Sequence, residues 1–371
     1  MQTVAEALAN LQRTSSSPLF GKLGNLFGAA GFELALVGGP VRDAFLGRET
    51  NDLDFTTEAT PDQILAVLKG NVDATWDIGR DFGTIGARIG DTHIEITTYR
   101  AEKYDPVSRK PIVAFGSDLT DDLFRRDFTI NSMALRLPEG VFVDPFNGLQ
   151  DLLDGVIRTP GKPEDSFSDD PLRIMRAARF AAQLGFQIHE ETFRAMKSMA
   201  DRIEIVSAER VQVELSKLVL GKEPREGIEA LVDCGLAEII FPELPALKLE
   251  VDEHHHHKDV YEHTLRVLEQ AIDYEEKYEI TGDLVLRLAS LMHDIGKPTT
   301  RKLEPGGGVT FYHHDVVGAK LATKRLKALR YDKDTIEAVS RLIELHLRFF
   351  GYSDQAWTDS AIRRYVRDAG D

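Results

Sequence analysis

Apolar positions along the chain repeat with one period up to about residue 100 and with another beyond residue 170. In the first stretch, short alternating or continuous apolar runs bounded by Gly, Pro and Asp predict strands at Leu34–Val37, Leu53–Thr56, Thr75–Ile78, Thr84–Ile89 and His93–Thr98. A helix is expected between them at Pro61–Leu68, where Pro61 lacks only an N–H that a first turn does not use and Thr60 can cap. Residues 1–30 read as helical, interrupted by Ser-Ser-Ser-Pro at 15–18. This pattern gives a small mixed sheet carrying helices, not a doubly wound parallel sheet.

Residues 101–122 are polar, contain two prolines and read as a long loop, a length that points to function. Residues 123–135 read as an amphipathic helix, Val141–Pro145 as a short strand, and Gly148–Gly155 as a helical turn closing the first domain. From Asp170 the period becomes helical. Pro171–Leu184 repeats Leu172, Met175, Ala178 and Ala182 and stops at Gly185. Helices follow at Glu191–Ala200, Ala208–Leu220 and Gly227–Cys234, then a linker at Phe241–Pro245 and a second helical region from His254 to Asp371. The His254–His257 run sits mid-chain ahead of a helix and is read as native. The class is α+β: a sheet-bearing head over 1–157, an all-α neck and body over 158–247, and an all-α domain over 248–371.

Composition narrows this only a little. The chain has 371 residues, long enough for two or three domains with real cores. No apolar run is long enough to span a bilayer, and no secretory layout opens the chain, so no membrane partner is expected. A single cysteine, Cys234, excludes a disulfide framework and fits a reducing cytoplasm; it is expected to be a small buried apolar residue. A net charge of −16 weighs mildly against a nucleic-acid partner. Arg125-Arg126 and Arg173, Arg176 and Arg179 cluster nonetheless, leaving room for a local basic surface.

The candidate chemistry begins where the first strand ends, in Gly38-Gly39, with a helix start at Pro40–Asp43. The next strand carries Asp52 and Asp54, and residues two apart on a strand point to one side. Two aligned carboxylates beside a glycine turn suit a divalent metal holding a triphosphate, and Glu95 on a nearby strand is the candidate third carboxylate. The competing reading is a turn and a solvated strand edge.

The run L-V-G-G-P-V-R-D-A-F-L-G with N-D-L-D-F-T-T resembles the head of class II tRNA nucleotidyltransferases and bacterial poly(A) polymerases, within the polymerase-β-type superfamily. Further blocks match in order: I-E-I-T-T-Y-R at 94–100, R-R-D-F-T-I-N-S-M-A at 125–134, D-P-F-N-G-L-Q-D-L at 144–152, D-D-P-L-R-I-M-R-A-A-R-F at 169–180 and E-R-V-Q-V-E-L-S-K-L at 209–218. The resemblance covers roughly residues 30–250. It implies Asp52 and Asp54 as Mg²⁺ ligands, and Gly38, Gly39 and Arg42 on the triphosphate, with Glu95 as the third catalytic carboxylate. It also places Arg126, Asp127 and Asn131 at the ribose and phosphates. Arg176 and Arg179 extend the helix face of Arg173 and are read as holding nucleotide phosphates. Glu209, Arg210 and Glu214 look like the family's neck-stabilising motif.

Asp170 and Arg173 match the family's base-reading motif, and chemistry supports that role. Three apart on a helix they share a face; a carboxylate accepts from an amino group while a guanidinium donates to a ring nitrogen. Cytosine and adenine offer that pair, whereas uracil and guanine present the reverse. An isolated D-x-x-R would otherwise read as an intrahelical ion pair. The implied activity is template-independent addition of CCA to the 3′ end of tRNA from CTP and ATP, with pyrophosphate released. A CC-adding enzyme and a poly(A) polymerase compete within the family. A full-length loop at Tyr104–Phe115 with Arg109 favours complete CCA addition.

In the last region H-D-I-G-K-P is characteristic of HD-domain phosphohydrolases, which implies metal ligands at His263, His293 and Asp294, and second-metal ligands at His314 and His346. Imidazoles and a carboxylate suit a transition metal or Mg²⁺. The further Asp usual in such domains is not apparent; the chain ends Y-V-R-D-A-G-D, and the sequence leaves open whether the family's tRNA-gripping tail has been lost. A degenerate HD scaffold, and a phosphohydrolase as the main activity, are the other readings of this region.

Overall fold

The structure, a computed structural model, describes residues 4–48, 52–99, 116, 118–249, 260–280, 282–305, 309–349, 360, 363 and 367. The chain forms two compact units: Met1–Asp170 with Gln187–Thr192, and Pro171–Phe186 with Phe193–Asp371. Residues 158–170 lie in the first unit.

The first unit runs α1 (Val4–Ser15), α2 (Pro18–Ala29), β1 (Leu34–Val37), α3 (Gly39–Phe45), β2 (Asp52–Thr57), α4 (Pro61–Leu68), β3 (Ala74–Trp76), β4 (Thr84–Ile89) and β5 (Thr92–Thr98). It continues with α5 (Leu119–Phe124), β6 (Ala134–Leu137), β7 (Val141–Val143), α6 (Gly148–Asp154), β8 (Val156–Ile157) and α7 (Pro163–Asp169). Seven strands form one mixed sheet in the order β3-β4-β5-β2-β1-β6-β7. The β2–β5 pair is parallel, and its register sets Asp52 beside His93 and Asp54 beside Glu95. The expected mixed sheet is thus present.

Alternation along β2, β4 and β5 gives that part of the sheet one covered and one open face. Leu53, Phe55, Ile94, Ile96, Ile85 and Ala87 are buried. Their neighbours Asp52, Asp54, His93, Glu95 and Arg88 are exposed. Helices α2 and α4 cover the apolar side; Phe20 of α2 meets Phe55 edge-on at 5.8 Å between ring centres. Burying each such side chain contributes about 1.5–3 kcal/mol.

The helix expected over 123–135 is a correction. Asp118 caps α5 by accepting from the Thr120 N–H at 2.6 Å, so that helix starts inside the expected loop and ends at Phe124. Beyond it the Asp127 carboxylate takes the Phe128 N–H, and the Ser132 hydroxyl donates to the Phe128 carbonyl. These local side-chain bonds compete with helix formation and leave only a short 3-10 turn at Thr129–Asn131. The apolar residues that follow then pair with β1 as β6, Leu34 opposite Leu137.

The second unit contains α8 (Leu172–Leu184), then α10 (Ala208–Val219), α11 (Pro224–Asp233), α12 (Ala237–Ile240), α13 (Val260–Lys277), α14 (Leu284–Met292), α15 (Lys297–Thr300), α16 (His314–Ala328) and α17 (Lys333–Leu345). The chain re-enters the first unit between α8 and α10, where β9 (Gln187–Ile188) pairs in parallel with β8 before α9 (Glu190–Ser198). A small hairpin, β10 (Lys302–Leu303) with β11 (Val309–Thr310), precedes α16. The linker expected at Phe241–Pro245 is a packed corner: Phe241 and Leu244 are buried, and Glu243 accepts from Arg325 at 2.8 and 3.0 Å. Arg287 of α14 is buried against Glu275 of α13 and donates to the carbonyls of Val219 and Gly221 at 3.0 and 2.8 Å, closing the C-terminal end of α10. Cys234 is buried as expected, and burial pushes its thiol up to about 11. No helix among the described residues is long and apolar enough to cross a membrane.

Candidate active site

The head site is built around the end of β1. Gly38 has φ 72°, a conformation that suits glycine, and a Cβ there would lie 3.1 Å from Nη1 of Arg126. The absent side chain lets that guanidinium sit over the turn. Asp122, buried and missed by the sequence reading, holds Arg126 at 3.2 Å. Arg42, in α3, is fixed by a chain of hydrogen bonds. It donates to both oxygens of Asp43 at 3.0 Å and to Oδ1 of Asn131 at 2.8 Å; Asn131 in turn donates to Asp127 at 2.9 Å. Asp127 and Asn131 are nearly buried, so the visible work of this pair is to hold Arg42.

Asp52, Asp54 and Glu95 share the open face of the sheet, Asp54 and Glu95 in direct register. Burial raises the Asp54 carboxyl above its ordinary value, Arg126 pulls it back, and the like charges of Glu95 and Asp52 add to the rise. Solvent still reaches Asp54, but flanking protein removes enough water to disfavour the charged form. A row of carboxylates with a negative surplus of this kind is suited to divalent cations.

The histidines of the second unit converge. His263 lies on α13, His293 and Asp294 follow α14, His314 opens α16 and His346 follows α17. Nε2 of His293 is 3.4 Å from Nε2 of His263, and Nε2 of His314 is 3.3 Å from Nε2 of His346. Buried Asp294 stands between the pairs: Oδ2 is 3.1 Å from His293, and Oδ1 is 3.2 Å from His314. Two donor groups have all ligand atoms within 4.8 Å, His263 with His293 and Asp294, and Asp294 with His314 and His346. Asp52, Asp54 and Glu95 do not form such a group.

Each of three rings uses Nδ1 on the carbonyl three residues earlier: His293 on Ser290 at 2.8 Å, His314 on Phe311 at 2.8 Å, and His346 on Ile343 at 2.6 Å. Only a protonated Nδ1 can make that bond, so in the neutral ring the Nε2 lone pair is the one turned to the cluster. Oδ2 of Asp294 is buried without a hydrogen bond of proper geometry, although Nζ of Lys297 is 3.0 Å away. Burial lowers His293, yet the Asp294 charge overrides it and the net shift is upward. Burial raises Asp294, but His293, His314 and Lys297 hold it well below the carboxylate range. His346, with burial first and His293 second, is pushed down to about 4. A convergent, pre-oriented set with an orphaned carboxylate oxygen fits metal ions.

Two expectations about the base-reading segment are corrected. Asp170 does not share a helix with Arg173: it ends α7 with an extended backbone, φ −142° and ψ 102°, and α8 starts only at Leu172. Pro171 explains the break, because the residue before a proline is driven out of the helical region. Arg179, expected on phosphate, is buried; it donates to Glu214 at 2.5 Å and Gln183 at 2.6 Å and stacks 3.9 Å over Phe180. Arg176 reaches the same Glu214 at 3.6 Å and stays partly exposed. Arg109, the Tyr104–Phe115 loop and His254–His257 lie outside the described residues.

Comparison with known proteins places this geometry. Residues 34–158 match the family described as Poly A polymerase head domain, 185–247 that described as "Probable RNA and SrmB- binding site of polymerase A", and 260–369 the HD domain. A CCA-adding enzyme of Lactococcus lactis subsp. cremoris (strain MG1363) is 36% identical over 322 residues, covering 83% of this chain and 77% of that protein. The chain belongs to the CCA-adding enzyme family. The family's Levilactobacillus brevis member is 44% identical over 208 residues, 56% of this chain and 51% of its own. The chain therefore spans about half the length of the first curated relatives it matches. Among solved structures, an apo form of a CCA-adding enzyme superposes with a TM-score of 0.70 at 25% identity, covering 97% of this chain and 79% of that one. That fold has the expected plan of mixed-sheet head and HD domain.

Proposed function

We propose that the chain is a tRNA nucleotidyltransferase that adds C, C and A to a tRNA 3′ end from CTP and ATP. The observation that carries this reading is the register of Asp54 against Glu95, with Asp52 on the same face, beside the Gly38 turn. A terminal 3′-hydroxyl attacks the α-phosphate in line, and pyrophosphate leaves. Asp52 and Asp54, with Glu95, would hold Mg²⁺, which when bound neutralises charge on the triphosphate and lowers the pKa of the attacking hydroxyl. Gly38 and Gly39 offer close backbone approach to phosphate oxygens, Arg42 and Arg126 supply positive charge, and Asp127 and Asn131 keep Arg42 aimed while meeting the ribose.

Base choice is assigned to Asp170 and Arg173, whose acceptor and donor match the edges of C and A and leave U and G unpaired. Arg176 supports the nucleotide phosphates. The relatives' names, CCA-adding enzyme, support this reading over a poly(A) polymerase. Incubating the protein with tRNA lacking CCA and one NTP at a time tests it. Addition of C eliminates the poly(A) alternative, whereas a halt after two C's eliminates full CCA addition.

A second activity is favoured by one observation, the four Nε2 atoms converging on Asp294. Imidazole-rich donors select a transition ion over Mg²⁺. His263, His293, Asp294, His314 and His346 would hold it, and its chemistry when bound is activation of water for phosphoester hydrolysis. Loss of phosphoesterase activity in His293→Ala, with nucleotide addition retained, is the expected result.

A further inference from the structure

The open face of the sheet carries more than carboxylates. Cross-strand partners lie on one face, and the register runs Asp54, Glu95, Gly86, Trp76 across β2, β5, β4 and β3. The row beside it runs Asp52, His93, Arg88, Ala74. Gly86 contributes no side chain, and the Trp76 indole occupies that space: a Cβ on Gly86 would fall 1.9 Å from Trp76 Nε1. The indole is thereby drawn over β4, its ring centre 5.6 Å from that of exposed His93 at a tilt of 49°. Exposed Arg88 pairs in register with His93. His93 therefore stands beside Glu95, one strand spacing from Asp52, and the Trp76 indole and Arg88 stand beyond them, about two strand spacings, roughly 10 Å, from β2.

Sheet order fixes which substrate meets them. The glycine turn and Arg126 lie on the β1 side of Asp52 and Asp54, so the triphosphate and its leaving group lie there under the proposed reaction. In-line displacement requires the attacking oxygen on the opposite side of the phosphorus. That side is Glu95, then β4 and β3. We propose that Trp76 and His93 form a stacking platform for the last base of the single-stranded RNA 3′ end, with Arg88 meeting its phosphate. This rests on the transferase reading and adds to it a binding site for the strand being extended. Bases stack on aromatic side chains whatever their identity, which suits an end whose last base is not the same throughout the reaction.

Trp76 and Trp357 are the only tryptophans in the chain, so a Trp357→Phe background makes fluorescence report Trp76 alone. A short RNA stem with one unpaired 3′ nucleotide should quench this signal saturably, and CTP alone should not. Trp76→Ala should raise KM for RNA about 5- to 100-fold, the range spanned by base–aromatic stacking, without raising KM for CTP; Trp76→Phe should recover most of it. Equal quenching by CTP, no quenching by RNA, or an unchanged KM for RNA overturns the platform. So does a Trp76→Ala effect confined to self-association, which would make this face a protein contact. The titration needs no turnover: quenching without incorporation of any NTP would defeat the transferase reading and leave the platform standing, and incorporation without quenching the reverse.

Discussion

The head carboxylates and the histidine cluster are both donor sets suited to metal, built on opposite plans. In the head, Asp52, Asp54 and Glu95 stand on neighbouring strands of an open face, like charge beside like charge, with Arg126 as the nearby counterweight. In the second unit, neutral lone pairs are fixed by Nδ1 contacts to backbone carbonyls and gathered round a buried carboxylate. Under the proposed reaction the first set would take up its ions with a charged substrate. The second is organised in advance and suits an ion that stays. Charge surplus and solvent access suit a site that exchanges its ions; imidazole donors and burial suit one that keeps them.

The largest test separates the two sets by lesion. Asp52→Ala with Asp54→Ala should cost about 1000-fold or more in nucleotide addition, several kcal/mol of charge stabilisation, while His293→Ala leaves addition near the parent rate. Persistent addition in the double variant would end the comparison. Next in size is metal retention. Protein passed through a desalting column should keep a transition ion in the second unit and no Mg²⁺ in the head, as read by elemental analysis. Chelation should then lower stability by about 3–4 kcal/mol for an ion at about 100 to 1,000 times its dissociation constant, and Asp294→Ala should show no such drop. Smaller again is Asn131→Ala, which frees Arg42: KM for CTP should rise about 5- to 10-fold, near 1 kcal/mol for one hydrogen bond, with RNA binding unchanged.

The smallest effect has the most telling sign. Asp54 holds its proton to higher pH in the folded chain than in the unfolded one. Native stability is therefore lost as pH rises from the ordinary carboxylate value through the raised one, and the penalty is complete above it. Asp54→Asn should raise the melting temperature at neutral pH without Mg²⁺, converge with the parent in acid, and fall behind the parent once Mg²⁺ is added. A parent more stable than the variant without Mg²⁺ would show that the head is not strained by its own charge.

Much of this was legible in the residues. Alternation placed Asp52 and Asp54 on one side of a strand, and H-D-I-G-K-P pointed to His293 and Asp294. What alternation cannot supply is register, so Glu95 could be named as a third carboxylate but not set beside Asp54. The strand at Ala134–Leu137 was hidden because its helical-looking prelude is undone by Asp127 and Ser132 bonding to nearby backbone. Arg179 read as a surface cation because its partner Glu214 lies 35 residues away. Trp76 drew no notice because its meaning depends on a glycine across the sheet.

Arg287 has a consequence for how the helical part of the chain can be handled. Its guanidinium joins Glu275 and the last carbonyls of α10, with Glu275 2% and Arg287 6% exposed. Cutting the chain after residue 247 would strip α10 of that cover and turn the Val219 and Gly221 carbonyls, with the apolar surface around them, out to water. The neck and the HD domain are therefore expected to melt together, and an engineer who removes the HD domain must first redesign the end of α10.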